Sequence, residues 1–413
     1  EYDRSDGSRP DTDHEVGQAR IGIALPARGG QLHADAAFAF RNFGAAEFYA
    51  SFPSYEETRT LTAALGWTAL DAAAPASPVI EPSLSVRRHA DEFILRRDDP
   101  AFYHNVHTSW QYGGELQARY APSARVHIAA GGELFGDRLE SNALGERAAT
   151  RAAAFGELAA GAPGDWLVQT GLRLDWHSEF GEFLAPSIAL AFWPADPLRV
   201  RGSVGRSFRA PGWTERFYED PANIGSPDLE PERAWTAEIG AELALPAGRI
   251  DIATFIRQAE NLIDWARSVL DDPAAPWRTM NVEDATFRGV EATLSLRGPL
   301  ETQWSVAATA LSLDASERHD FTSKYVLRPL AHTAQLAVER SLNDGFGIGA
   351  RVRNARRMGE DPFTVADLRF SYGRGSIRAF ADLTNVTGEQ HLDVSAQPAP
   401  GRQFHIGLRW TGS

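Results

Sequence analysis

Apolar and polar residues alternate with a period of two along almost the whole chain. Residues 402–410 set Phe404, Ile406, Leu408 and Trp410 against Gln403, His405, Gly407 and Arg409. Residues 166–177 set Trp166, Val168, Leu172, Leu174 and Trp176 against Gln169, Arg173, Asp175 and His177. The same split separates Val290, Ala292, Leu294 and Leu296 from Glu291, Thr293, Ser295 and Arg297. It recurs in Trp110, Tyr112, Leu116 and Tyr120 against Gln111, Glu115, Gln117 and Arg119. Successive side chains of a strand point to opposite faces, so each segment predicts a strand with one apolar and one polar face. No helical periodicity of comparable strength competes.

Short, turn-rich connections alternate with longer ones. The short ones, such as Pro26–Gly30, Pro122–Ser123, Pro246–Gly248 and Gly373–Gly375, use Gly, Pro, Asn and Asp, which supply the backbone angles of a tight reversal. Between them lie segments 43–56, 90–107, 138–148, 210–232, 261–285, 315–328 and 386–401. Transmembrane barrels have this asymmetry, with short periplasmic turns and longer extracellular loops. The pattern predicts nineteen strands of about 10–13 residues and a stub at 1–4, against roughly 9–11 for a tilted membrane crossing and 5–6 for soluble strands. A soluble sandwich or propeller is the competing architecture. Strand length, strict alternation of loop length and the lack of a blade-length repeat weigh against it. The expected fold is therefore all-β, a transmembrane antiparallel β-barrel. In lipid every backbone N–H and C=O must be paired, so such a sheet must close, around a lumen wide enough to need water or a plug.

Composition narrows the function classes. The 413 residues contain no cysteine, which removes disulfides, thiolate metal sites and a cysteine nucleophile. A net charge of −14 argues against nucleic acid as a partner. No apolar run is long enough for a transmembrane helix, and no signal peptide is visible at Glu1. Lys324 is the only lysine. There is no G-x-S-x-G elbow, HExxH or phosphate loop, so an enzyme is not expected.

Four stretches carry a family resemblance. Residues 203–242, SVGRSFRAPGWTERFYEDPANIGSPDLEPERAWTAEIGAE, resemble the "FRAP … NPDL-PE … E-G" block of TonB-dependent outer-membrane receptors. AENLIDWARS (259–268) with NVEDATFRGVEATLSL (281–296) resembles a strand pair of that family, and ADLTNVTGEQHLDVSAQPAPGRQFHIGLRW (381–410) its terminal hairpin. RNFGAAEFYASFPSYEETRT (41–60) is similar to an early loop of the vitamin B12 (cobalamin) branch. The resemblance implies a 22-stranded barrel in the Gram-negative outer membrane. It also implies active uptake of a scarce small molecule, with cobalamin or another corrinoid first and a ferric siderophore second. A plugless diffusion porin or structural barrel is the reading from a different class. Implied partners are the ligand, the lipid bilayer, the barrel-assembly machinery and a TonB complex acting on an N-terminal plug. Counting back from 402–410 as the last strand makes residues 1–4 the end of the third. The plug, the first two strands and most of the third are then expected to lie outside this sequence, with 1–413 as barrel domain.

Candidate site residues follow from the loops. Exposed aromatics offer apolar area with a polar handle, which points to Phe48, Tyr49, Phe52, Tyr55, Trp213, Phe217, Tyr218, Trp265 and Trp277 as ligand contacts. Arg209, Pro211, Asp228 and Glu232 belong to the motif. The preferred reading of Arg209 and Glu232 is polar pairing that fixes the loop base. Trp410 is the aromatic of the terminal assembly signal. No cofactor is required. The cobalamin resemblance implies calcium held by loop aspartates, for which Asp6, Asp11 and Asp13 are the candidates. His104 and His107, three apart, are a further metal candidate, and residues 211–231 lack the histidine that haem receptors of the family carry there.

Overall fold

The computed structural model describes all residues except 8, 47–51, 70–76, 221, 273–274, 316–320, 343–344, 393–397 and 411–413. Phe48 and Tyr49 lie outside the described residues. The chain opens with β1 (Tyr2–Ser5), β2 (His14–Ala27), β3 (Gly30–Gly44), β4 (Tyr55–Ala69), β5 (Val79–Ile94) and β6 (His104–Ser123). It continues through β7 (Val126–Ser141), β8 (Gly145–Gly161), β9 (Trp166–His177), β10 (Gly181–Ala195) and β11 (Leu198–Arg209). A five-residue helix α1 (Trp213–Phe217) and the two-residue β12 (Asn223–Ile224) interrupt the loop before β13 (Glu232–Leu245). Then come β14 (Gly248–Ser268), β15 (Trp277–Arg297), β16 (Thr302–Ala315), β17 (Phe321–Ser323) and β18 (Leu330–Ser341). The chain ends with β19 (Phe346–Arg357), β20 (Phe363–Arg374), β21 (Ile377–Thr384) and β22 (Gln403–Trp410).

Among the described residues, nineteen strands form the wall and β1 is the expected stub; β12 and β17 are short pieces added at the loop end. Every wall strand pairs antiparallel with its neighbours in the sequence, β11 with β13 and β16 with β18 across the insertions. The β2–β3 turn shows the local chemistry. Ala27 faces Gly30, and Arg28 and Gly29 between them have φ of 43° and 73°, the paired positive values of the tight reversal that matches strand twist. Two edges stay open among the described residues. β22 pairs only with β21, and β2 beyond Gln18 only with β3. In hydrocarbon such edges need partner strands.

The apolar face points outward. Ile21, Leu84, Ile239 and Leu408 are 68%, 61%, 59% and 78% exposed, an arrangement that is costly in water and favourable in lipid. On the opposite face charges pair across strands. Arg20 donates to Asp35 at 2.7 Å, Arg151 to Asp137 at 2.7 Å, and Arg369 to both Asp382 oxygens at 2.6 and 2.7 Å. On β5 the outward positions run Ile80, Pro82, Leu84 and Val86 before changing to Arg88 and Glu92. Arg88 lies 5.7 Å over the ring of Trp110 on β6, marking the outer rim of the lipid band.

Above that rim the strands run further than the alternation alone predicts. Half of segment 90–107 and most of 138–148 are strand, leaving 95–103 and 142–144 as connections. Segment 261–285 is largely the upper part of a hairpin between the 21-residue strands β14 and β15. The reason is a second layer of packing. Ala234, Ala259, Leu262, Ala266, Val282 and Ala285 form a buried cluster, with Met280, Phe287, Leu313 and Phe321 against it. Leu262, Ile263 and Asp264 are buried in succession, so period-two alternation is lost where loops cover both faces. His104 and His107 fall on opposite faces of β6, His104 beside Glu92 and His107 beside Ser141, so the spacing of three separates them.

Candidate functional site

The loop between β11 and β13 folds back over the lumen and is anchored at its base. Arg209 ends β11 and Glu232 begins β13, directly opposite in register. The guanidinium donates to both Glu232 oxygens at 3.0 and 2.7 Å and to both Glu215 oxygens at 2.9 Å. Glu232 also accepts the Ile263 N–H at 2.8 Å, tying the loop base to the extended hairpin. Pro211 is buried where the loop turns into α1. Asp228 is exposed at the loop's return. The Arg209–Glu232 pair joins the two ends of the loop at its base.

The folded loop closes one side of a cavity of about 440 Å³ at the extracellular mouth. The barrel wall supplies Glu56, His89, Asp91, Asn105 and His107 from β4 to β6. The loop supplies Trp213, Tyr218, Asp220 and Asn223. The third side is Trp265 from β14 with Lys324 and Tyr325 from the segment after β17. Tyr103, between β5 and β6, donates to the Tyr218 hydroxyl at 3.3 Å and accepts from Asn105 at 3.2 Å, so wall and loop share a polar seam.

Asp264 builds the third side. It is 3% exposed, and its carboxylate accepts the backbone N–H groups of Trp265, Tyr325 and Val326 at 2.8, 3.0 and 2.9 Å and the Ser323 hydroxyl. The Lys324 N–H donates to the Trp265 carbonyl at 2.9 Å. The turn is thereby fixed on both sides of Lys324, whose ammonium stands 5.3 Å from the Tyr325 ring and 5.6 Å from the Trp277 ring. Its polar contact is Asn223 Oδ1 at 3.4 Å, and Asn223 Nδ2 donates to Asp220 at 3.1 Å.

All these groups stand above the lipid band. Burial holds the Lys324 ammonium below the usual lysine range and pushes the Asp91 carboxyl above the usual carboxylate range. Burial lowers His107 and, with the Tyr103 contact, raises Tyr218 far above an ordinary phenol. Asp91 Oδ1 is buried with no protein hydrogen-bond partner among the described residues.

Of the aromatics the sequence singles out, Trp213, Tyr218 and Trp265 line the cavity. Phe217 packs under Arg147 and Arg216 at 3.8 and 4.7 Å, and Trp277 under Arg267 at 4.2 Å. Phe52 and Tyr55 belong to a neighbouring patch, Phe52 6.0 Å from Phe102 and Tyr55 4.2 Å beneath Arg97. Trp410 ends β22, 75% exposed on the outward face. Sequence reasoning misses Asp91, His107, Asp220 and Lys324 as partners in one site. The one available signal was that Lys324 is the chain's single lysine.

Two of the three aspartates expected to hold calcium, Asp11 and Asp13, lie beside Arg97. Asp13 accepts both guanidinium nitrogens of Arg97 at 2.6 and 3.0 Å, and Asp11 lies 3.7 Å from the same group. Arg97 holds the Asp13 carboxyl below the usual range. Among the described residues no cluster of three or more acidic or histidine side chains is arranged to hold a metal.

Three kinds of similarity to known proteins bear on this architecture. A 123-residue segment is 30% identical to the vitamin B12 transporter BtuB of Vibrio vulnificus strain YJ016, spanning 30% of this chain and 19% of that protein. A 129-residue segment is 27% identical to BtuB of Photobacterium profundum, spanning 31% of this chain and 21% of the relative. The chain thus aligns with about a fifth of the curated relatives' length. In fold, it superposes on the siderophore receptor PirA of Acinetobacter baumannii with a TM-score of 0.77 at 14% identity, covering 97% of this chain and 71% of that one. The copper transporter OprC gives 0.78 at 14% identity, covering 97% and 72%. The family model described as TonB dependent receptor-like, beta-barrel, matches residues 3–386. This chain belongs to that family of outer-membrane transport receptors.

Proposed function

We propose that the chain is the barrel wall of an outer-membrane active-transport receptor, not an enzyme, and that its ligand is a corrinoid of the cobalamin class. The observation that carries this reading is the cavity itself, built jointly by the wall and by two extracellular loops. It offers aromatic side chains from Phe93, Trp213, Tyr218, Trp265 and Tyr325, amide and hydroxyl groups, and three carboxylates against one ammonium, which suits part of a bulky molecule rich in amides and poor in negative charge. The BtuB similarity points the same way. A polyanionic ferric chelate would meet Glu56, Asp91 and Asp220 against the single ammonium of Lys324, so the siderophore reading ranks second.

In this mechanism the loops capture the ligand at the mouth, and TonB draws on a plug contributed by sequence outside residues 1–413 to open the lumen. The open edges at β2 and β22 favour completion of the wall by further strands. The test is equilibrium binding of cyanocobalamin and of a ferric catecholate siderophore, in parallel, to the full-length receptor in detergent. Saturable cobalamin binding supports the corrinoid reading. Its absence, with tight siderophore binding, replaces it.

A further inference from the structure

Two opposite charges line the cavity without meeting each other. Besides the Tyr325 and Trp277 rings, the Lys324 ammonium has one long polar contact, to Asn223 Oδ1 at 3.4 Å, and forms no ion pair with a carboxylate of the described residues. Asp91, on the opposing wall, leaves Oδ1 buried and without a hydrogen-bond partner among those residues. Isolated, partly desolvated charges cost free energy unless something pairs with them. The backbone of each residue is held in place. Asp91 lies in the continuous β4–β5–β6 ladder opposite Thr58 and His107, and Lys324 is set by the Asp264 clamp. An arrangement that keeps a costly cation and a costly acceptor apart, facing one cavity, is complementary to a molecule carrying one anion and a separate donor.

Resting on the capture role assigned to this cavity, we propose that Lys324 anchors a single compact anionic group of the ligand, of the phosphodiester kind, while Asp91 receives a donor such as an amide N–H. Asp264 is the positioning residue that sets Lys324. The carboxylates of the lining favour a single anionic charge on the ligand. Asp220 and Asp264 already lie close enough to act on the ammonium electrostatically, so a second negative charge would be repelled. A ligand satisfying both ends also gains specificity, since an analogue lacking the anion leaves the buried ammonium unpaired.

The experiment compares cyanocobalamin, which carries one phosphodiester, with dicyanocobinamide, which lacks it, on the full-length receptor and on its K324Q and K324R variants. The wild type should prefer cyanocobalamin, and K324Q should lower that preference by about tenfold or more. K324R, which restores the cation, should recover most of it, and this also separates loss of charge from loss of fold. Equal weakening of both corrinoids by K324Q, or an unchanged preference, overturns the assignment while leaving the corrinoid reading intact. If neither corrinoid binds the wild type, the capture reading fails first, and the anchor with it.

Discussion

Arg209 and Glu232 face each other across the base of the β11–β13 loop, the guanidinium donating to both carboxylate oxygens at 3.0 and 2.7 Å. Glu232 is 9% exposed and also holds the Ile263 N–H, whereas the Arg209 side chain is 45% exposed. Charge-assisted hydrogen bonds at a half-exposed site contribute about 1–2 kcal/mol, with the exposed end discounted for screening. Glu232→Ala should therefore release the loop without unfolding the wall. We expect faster amide exchange and proteolysis across 211–231 and weaker ligand binding, with little change in barrel melting. Unchanged exchange in the loop would show that Arg209 and Glu215 suffice to hold it.

The Asp264 clamp gives a second prediction, with a different signature. Asp264→Ala leaves the N–H groups of Trp265, Tyr325 and Val326 without their acceptor, each costing about 1–3 kcal/mol where it stays buried. The segment after β17 should loosen, and the phosphodiester preference should fall as in K324Q although Lys324 remains. Asp264→Asn keeps one acceptor oxygen and should fall between. Hydrogen exchange at 321–328 separates the two variants from K324Q, which should leave that segment protected.

Much of this architecture is legible in the sequence, for a physical reason. Lipid outside and water inside force every wall strand to alternate, so Leu172, Leu174 and Trp176 declare one face and Arg173 and Asp175 the other. The same rule fails above the rim. Leu262, Ile263 and Asp264 are consecutive and all buried, because loops cover both sides of the extended hairpin. A strand without alternation reads as a loop. The cavity was illegible for a related reason: Asp91, Asp220 and Lys324 come from three regions far apart in sequence, and only the folded-back loop brings them together. Trp213, Tyr218 and Trp265 were legible as exposed aromatics, but the same criterion selected Phe52 and Tyr55, which pack elsewhere.

The pH response of binding should carry the mark of Lys324. Burial holds its ammonium below the usual value of 10.5, and the groups that face it are Asp220, Asp264, Arg267 and Tyr325. Tyr325 is raised by burial and stays neutral over this window. The unfolded chain binds the proton more tightly than the folded one, so the ligand-free protein gains stability as pH rises from the depressed value to the ordinary one. Affinity for a phosphodiester ligand must run the opposite way, because only the ammonium pairs with the anion. Cyanocobalamin affinity should decline on the alkaline side before an ordinary lysine would titrate. In K324R that decline should vanish from the accessible range, since the guanidinium stays charged. A decline of the same shape in K324R would assign it to another group.

The contact of Asp13 with Arg97 predicts how the receptor responds to calcium and to acid. A guanidinium 2.6 and 3.0 Å from the two carboxylate oxygens already supplies the positive charge that a hard cation would bring. Removing calcium with a chelator should leave cyanocobalamin affinity within experimental error. A large loss on chelation, restored by added calcium, would show that Asp13 leaves Arg97 for the ion. Arg97→Gln tests the same point from the other side. With the guanidinium gone, Asp11 and Asp13 are left as an uncompensated acidic pair, and any calcium dependence should appear in this variant alone. The acid response follows from the direction of the Asp13 shift. Its folded-state carboxyl is depressed by Arg97, so the stabilisation is in place above the ordinary aspartate range and is lost only as pH falls through the depressed value. Cross-linking or exchange measurements on residues 9–13 and 95–103 should report one joint opening at that low pH, and an earlier one in Arg97→Gln.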